Sequence, residues 1–287
     1  MADALDKPRL EEVPYEGPPE DVPMTVLEHI GELRSRLIKA LLGTLPAMIV
    51  SWEFREELLE FLMRPFSIAY RHLGLGDKAV MNYSNPPEMF TTYMKISIVC
   101  GFMLSSPWVF YQVWGFIAPG LYKKEKLYAI PFVVASSVFF AGGAFFAYGA
   151  LMPSMYETLL SMGGQIAGSS LLVQPMMMIT ENLAFATQIL LAFGVVFEVP
   201  VVVTFLSLAG MVNWKQLLAF GRWWVVIASV LAAVLTPTPD AGSMMLMLVP
   251  LVVLYYISVA LAYFFGPKVE PPPEPEKSDK LSKKPKR

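Results

Sequence analysis

The sequence predicts an all-α, polytopic membrane protein with six transmembrane helices, both termini cytoplasmic, and two structured outer-side loops forming a cap. Three observations carry this reading. Mean hydropathy is +0.51, well above that of a water-soluble domain, because 55% of the 287 residues are hydrophobic and only 16% are charged. The apolar residues gather into long runs, each to be judged against the roughly 20 residues that a bilayer core requires. Lysine and arginine, in turn, concentrate in alternate connections between those runs, the pattern that sets orientation in a membrane.

Taken in order, residues 1–23 are rich in Pro, Glu and Asp and lack apolar periodicity, which predicts a disordered cytoplasmic tail. They do not read as a cleavable signal peptide, since the first long apolar run begins only at Leu37. Thr25 and Glu28 form a capping box after Pro23, and Leu27, Ile30, Leu33 and Leu37 recur at helical spacing. That pattern predicts an amphipathic helix along the membrane surface, with Glu28, His29, Glu32, Arg34, Ser35, Arg36 and Lys39 on its other face, running into the first span. Spans are predicted at 37–52, 91–114, 127–151, 183–208, 217–235 and 244–265, so that residues 24–265 make one membrane domain. Pro46, Pro107, Pro131, Pro200 and Pro250 fall in or at these spans, where each frees a carbonyl and kinks its helix.

The outer connections are substantial. Segment 53–90 shows helical patterning over 56–63, and 152–180 contains Gly163-Gly164 and the run Met176-Met177-Met178; together they are expected to cap the outer face. Spans five and six are joined by the tight turn Thr236-Pro237-Thr238-Pro239-Asp240. Basic residues flank the inner ends: Lys7, Arg9, Arg34, Arg36 and Lys39 before span one, Lys123, Lys124 and Lys126 between spans two and three, and Lys215 with Arg222 beyond span four. The 266–287 tail ends KLSKKPKR and reads as a disordered, basic cytoplasmic tail that touches anionic lipid.

Several functions are excluded at this level. A net charge of −2, with no basic stripe through a folded region, argues against nucleic acid as a partner. Cys100 is the only cysteine, so no intrachain disulfide forms, and in its apolar run it reads as structural filler. Every Asp lies in a tail or loop, His29 and His72 fall on opposite sides of the membrane, and no phosphate-binding glycine loop is present. The chain is therefore read as a non-enzyme with no cofactor and no metal site.

What remains is a small set of charges in costly places. Glu198, in Phe197-Glu198-Val199-Pro200, sits inside the fourth run, where a carboxyl must be paired, protonated or water-facing. Lys95 is near enough to the outer interface to snorkel. Glu32 and Glu125 are embedded among cations, and on residue chemistry alone they read first as a solvated salt-bridge surface, with Glu32 and Arg36 an ordinary i,i+4 pair. Two readings stay open at this point: a proton-coupled small-molecule transporter with Glu198 as proton carrier, and a passive structural scaffold in which neutralising Glu32 and Glu125 changes only local charge.

Four strings then narrow the field. HIGELRSRL at 29–37, YQVWGFIAPGLYKKE at 111–125, FGVVFEVPV at 193–201 and TPTPD at 236–240 resemble the TatC family, the core receptor of the twin-arginine protein translocase, and the resemblance covers 24–265. It implies a subunit of the bacterial cytoplasmic (inner) membrane that binds twin-arginine signal peptides of folded precursors and drives their export on the proton-motive force. It also implies partners: TatA- and TatB-type single-span subunits, membrane lipid, and further copies of the chain in a homo-oligomeric receptor complex. On this resemblance Glu32 and Glu125 receive the arginine pair, with Arg34, Arg36, Phe116, Pro119, Leu121 and Tyr122 shaping the site. A guanidinium fork matches a carboxylate bidentately where an ammonium does not, which separates arginine from lysine pairs. Glu198, with Pro200, Thr236 and Met244, marks the site for partner helices, Met244 standing where the family often carries glutamine. Pro65 and Asp240 match outer-side positions of the family, and on chemistry alone they read as a helix stop and a turn residue.

Overall fold

The structure, a computed structural model, describes residues 26–117, 129–165, 170, 172–173, 176–236 and 241–266. It is an inside-out bundle: Phe145, Val234 and Phe264 are 75–77% exposed, the apolar belt that a bilayer covers. Helix α1 (Val26–Glu53) is 28 residues long, about 42 Å at 1.5 Å per residue. It merges the amphipathic segment and the first span without a break, so the portion bearing Glu32 projects along the span's own axis and is not a separate surface helix. Pro46 stays inside it. Helix α2 (Arg55–His72) turns away from α1 by 82°, at a bend where the Arg55 guanidinium lies over the rings of Trp52 and Tyr93.

The second span is two helices, α3 (Pro86–Leu104) and α4 (Ser106–Ile117), bent by 56°. Pro107 lies in the first turn of α4, where its missing N–H costs nothing and its ring ends the preceding helix. The third span runs through α5 (Ala129–Phe146), a π-helical turn at Ala147–Leu151 and α6 (Met152–Ser161), ten residues beyond the predicted end. The fourth is α7 (Ile179–Val196) and α8 (Val199–Leu208), interrupted just before Pro200. Helices α9 (Trp214–Leu235) and α10 (Ala241–Phe265) complete the six spans. Gly210, at φ +72°, lets the chain close α8, with Met211 N–H donating to Leu206 O, and Asn213 opens α9 with a capping box to Gln216.

Small residues bring the helices together. A side chain at Gly143 would meet the Phe193 carbonyl and the Phe197 ring, and one at Gly194 would meet the Phe140 ring, so α5 and α7 approach through a reciprocal glycine pair, as membrane helices do. The best-packed core lies toward the end of the bundle where α1 bends into α2: Phe66, Leu151, Met152, Met155 and Leu183 are fully buried there. The cap is built from α2, α6 and the backbone pairing of Asn82 with Met177 and Ile179. A two-residue antiparallel pair, β1 (Gly164–Gln165) with β2 (Leu172–Val173), completes it.

Pro65 is not a helix stop. It lies inside α2, buried, and because it lacks an N–H the carbonyl of Phe61 loses its helical donor. The Tyr148 hydroxyl, presented by the π-helical turn, donates to that carbonyl at 2.8 Å, while the Tyr148 and Phe61 rings stack at 4.4 Å and 9°. A freed acceptor on the cap is thus satisfied from the third span.

Candidate functional site

Two polar sites sit on either side of α4. The first is built on the projecting part of α1, at the end of the bundle away from the cap. Glu32 Oε1 accepts from Arg36 Nε at 3.1 Å and from Nη2 at 3.0 Å. Both side chains are about one-quarter exposed, so the pair itself is worth only about 0.3–0.5 kcal/mol. More telling is the other oxygen: Glu32 Oε2 is buried and has no hydrogen-bond partner among the described residues. The carboxylate is oriented by one guanidinium and keeps acceptor capacity for another donor.

Helix α4 walls this site. A side chain at Gly115 would strike the Arg36 guanidinium, so glycine there is what allows Arg36 to lie against α4. Phe116 stacks on His29 at 4.4 Å and 15°, fixing the end of α4 to α1 one turn before Glu32. Farther along, Trp108 Nε1 donates to the Lys39 carbonyl at 2.9 Å. Arg34 is exposed on α1. Pro119, Leu121, Tyr122 and Glu125, predicted to complete the site, lie outside the described residues, as does Asp240.

The second site is Glu198, at the turn between α7 and α8, with Pro200 buried in the first turn of α8. Glu198 Oε1 is buried without a hydrogen-bond partner among the described residues. Ser136 of α5, fully buried, accepts from Trp114 Nε1 at 2.8 Å. The Trp114 indole is wedged between Phe132 and Phe205, each 4.9 Å away centre to centre. Thr236 and Met244 are elsewhere. The ten residues of α8 hold Glu198 about 15 Å from the end of the bundle that α8 and α9 share, whereas the 22 residues of α9 carry Thr236 about 33 Å from it. Thr236 is buried with its hydroxyl donating to Ala232 O, and Met244 packs against the cap-side core. The structure therefore does not bring these two to Glu198.

Sequence reasoning missed Trp114, Ser136 and Tyr148. The signals for the first two were an indole donor and a serine in apolar spans, groups that need partners in lipid; Tyr148 is legible only once Pro65 is seen inside a helix.

A six-span helical bundle with a lipid-facing apolar belt, a carboxylate at one end and another inside the spans defines an integral membrane protein of the polytopic class. Comparison with known proteins is specific: residues 28–250 match the family described as Sec-independent protein translocase protein (TatC), and the chain belongs to the TatC family. It is 36% identical over 249 residues to the Sec-independent protein translocase protein TatC of Koribacter versatilis, covering 85% of this chain and 87% of the relative. With the corresponding protein of Desulforapulum autotrophicum it shares 37% identity over 241 residues, 84% and 85% of the two chains. The fold is similar to a crystal structure of the twin arginine translocase receptor TatC, at TM-score 0.66 and 32% identity over 83% of this chain and 99% of the other. A second crystal structure of that receptor, in DDM, matches at TM-score 0.68 and 33% identity over 82% and 99%. The protein is thus a component of the twin-arginine translocase, in a family of translocase components rather than enzymes, and this replaces the small-molecule transporter reading.

Proposed function

We propose that this chain is the receptor of its translocase: it binds the arginine pair of signal peptides on folded precursors at Glu32 and Glu125, and gathers TatA- and TatB-type single-span subunits at Glu198. Residues 24–265 are its membrane domain, between tails at 1–23 and 266–287. It works in the bacterial cytoplasmic membrane with both termini in the cytoplasm, as a homo-oligomer, and export draws on the proton-motive force. The observation that carries the reading is the Glu32 carboxylate, which is held by Arg36 through one oxygen while the other, buried, has no hydrogen-bond partner among the described residues. A guanidinium forks onto a carboxylate with two parallel charge-assisted hydrogen bonds; a lysine ammonium meets it as a point charge and does not match that fork. Arg36 and the lysines at 123, 124 and 126 oppose loosely fitted cations, so attraction and repulsion select together.

The test is direct binding of fluorescent signal peptides to the purified full-length protein. Arginine-pair peptide is expected to bind at least about tenfold more tightly than its lysine-pair twin, one good charge-assisted contact being worth about 1.5–3 kcal/mol. Glu32→Gln and Glu125→Lys are expected to erase the difference while the protein still inserts. Equal affinity for both peptides, or variants that keep the preference, would overturn the proposal.

A further inference from the structure

We propose that the lipid-facing side of α9 carries a binding site for the headgroup phosphate of an anionic phospholipid, formed by Lys215 and Arg222 together with the Tyr256 hydroxyl of α10. Lys215 and Arg222 stand seven residues apart, two turns of α9, and so share one face about 10 Å apart along the axis. Both are exposed, and Leu218, Ala219 and Val226 on that face are exposed and apolar.

Arg222 is the ninth residue of its helix, about 12 Å from the start, a depth at which a bare guanidinium facing hydrocarbon is costly. Among the described residues it has neither an ion pair nor a hydrogen bond to spend its five donors on. The Lys215 ammonium finds only the face of Trp214, 5.7 Å away. The sequence supplies no acid to meet them: between Glu198 and Glu270 the only acidic residue is Asp240, which follows the far end of α9. Tyr256 stands level with Arg222, nine residues, about 14 Å, before the end of the antiparallel α10. A side chain at Gly221 would meet the Tyr256 Oη at 3.0 Å, so glycine there lets the phenol lie against α9 beside Arg222. Its neighbour Tyr255 turns inward and donates to Leu217 O at 2.7 Å; the exposed Tyr256 hydroxyl has no hydrogen-bond partner among the described residues.

A guanidinium, an ammonium and a phenol on one lipid-facing surface, all without an acceptor, call for a shared anion. A phosphodiester meets the demand: it takes the arginine fork bidentately and keeps an oxygen for the phenol. The long stems of Lys215 and Arg222 carry their heads toward the end of the bundle away from the cap, where one leaflet's phosphates lie. A lipid with net negative charge fits better than a zwitterion, because the two cations have no counter-charge in this part of the chain. Trp223, 58% exposed, and Phe220 flank the site as interfacial aromatics. The lipid bridges α9 and α10 where the core they share is small, made of Leu217, Tyr255, Val259 and Ala262.

The experiment titrates the full-length protein in detergent with phosphatidylglycerol or phosphatidylcholine and counts bound lipid by native mass spectrometry. Wild type is expected to prefer phosphatidylglycerol at least about fivefold. Arg222→Gln is expected to lower that affinity about fivefold and Lys215→Gln/Arg222→Gln about 25-fold, the worth of one and two cations beside anionic lipid. Arg222→Lys keeps most of it, and Tyr256→Phe lowers it about 2- to 10-fold, one hydrogen bond. Lys95→Gln, which removes an exposed cation of α3, leaves it unchanged. All these positions are exposed, so melting without added lipid is expected to match wild type throughout. Unchanged phosphatidylglycerol affinity in the double variant, or equal affinity of wild type for the two lipids, would overturn the proposal. Displacement of the lipid by millimolar inorganic phosphate would overturn it too, marking a site for a soluble anion. If the double variant keeps its lipid but loses cross-linking to a single-span partner, the cations serve a partner helix and the lipid assignment falls.

Discussion

Tyr148→Phe removes a single oxygen, and its effect is expected to depend on a residue more than eighty positions earlier in the chain. The Tyr148 hydroxyl donates to Phe61 O at 2.8 Å, and that carbonyl is free only because Pro65, four residues on, has no N–H to give it. The phenylalanine keeps the ring and its stacking on Phe61, which isolates the hydrogen bond. Losing the bond at this exposed position costs about 0.5–1.5 kcal/mol. In a Pro65→Ala background the α2 helix supplies its own donor at position 65, so the same Tyr148→Phe change is expected to cost no more than a few tenths of a kcal/mol. The coupling energy across the double-mutant cycle is then about 0.5–1 kcal/mol. Equilibrium unfolding of the four proteins in mixed detergent micelles with a graded denaturing detergent measures it. Additive effects, with coupling below about 0.3–0.5 kcal/mol, would refute the idea that Tyr148 answers the proline's missing donor.

Three further outcomes are expected. Gly194→Leu is expected to destabilise by about 1–3 kcal/mol through overpacking against Phe140, whereas Gly142→Ala, with open space around it, leaves the same unfolding curve in place. His72→Ala breaks the exposed pair with Glu157, 2.8 Å apart, and is expected to change stability by less than about 0.5 kcal/mol in that assay. Binding of the arginine-pair peptide is expected to weaken as salt rises from 50 to 500 mM in wild type and to lose most of that dependence in Glu32→Gln, as titration at the two ionic strengths would reveal.

Much of this architecture was legible in the sequence because a bilayer leaves few alternatives. Long apolar runs can only be spans, and lysine and arginine placement orders them. The errors came where backbone geometry decides. The amphipathic stripe of Leu27, Ile30, Leu33 and Leu37 has the same period whether its helix lies on a surface or continues into span one, and the structure shows continuity through Glu53. Pro65, an outer-side family position whose plain chemistry suggests a helix stop, instead lies inside α2, and a tyrosine distant in sequence answers the carbonyl it frees. The break before Pro200 was foreseeable from its ring. Of the candidate sites, Glu198 stood out as a charge in a costly place and Glu32 through the family strings, but nothing along the chain told which oxygen of Glu32 would be engaged. That depends on Arg36 one turn away. Thr236 and Met244 were grouped with Glu198 by family resemblance, which carries no information on depth, and helix length separates them.

The central claim, that this chain reads an arginine pair, is tested most directly by export. Cells lacking their own TatC are supplied with this chain and its cognate single-span partners, together with a folded fluorescent reporter behind an arginine-pair or a lysine-pair signal peptide. The expected result is reporter outside the cytoplasm with the arginine pair only, lost in Glu125→Lys cells that still insert the protein. Equal export of both reporters, or none of either despite correct insertion and partner expression, would contradict it.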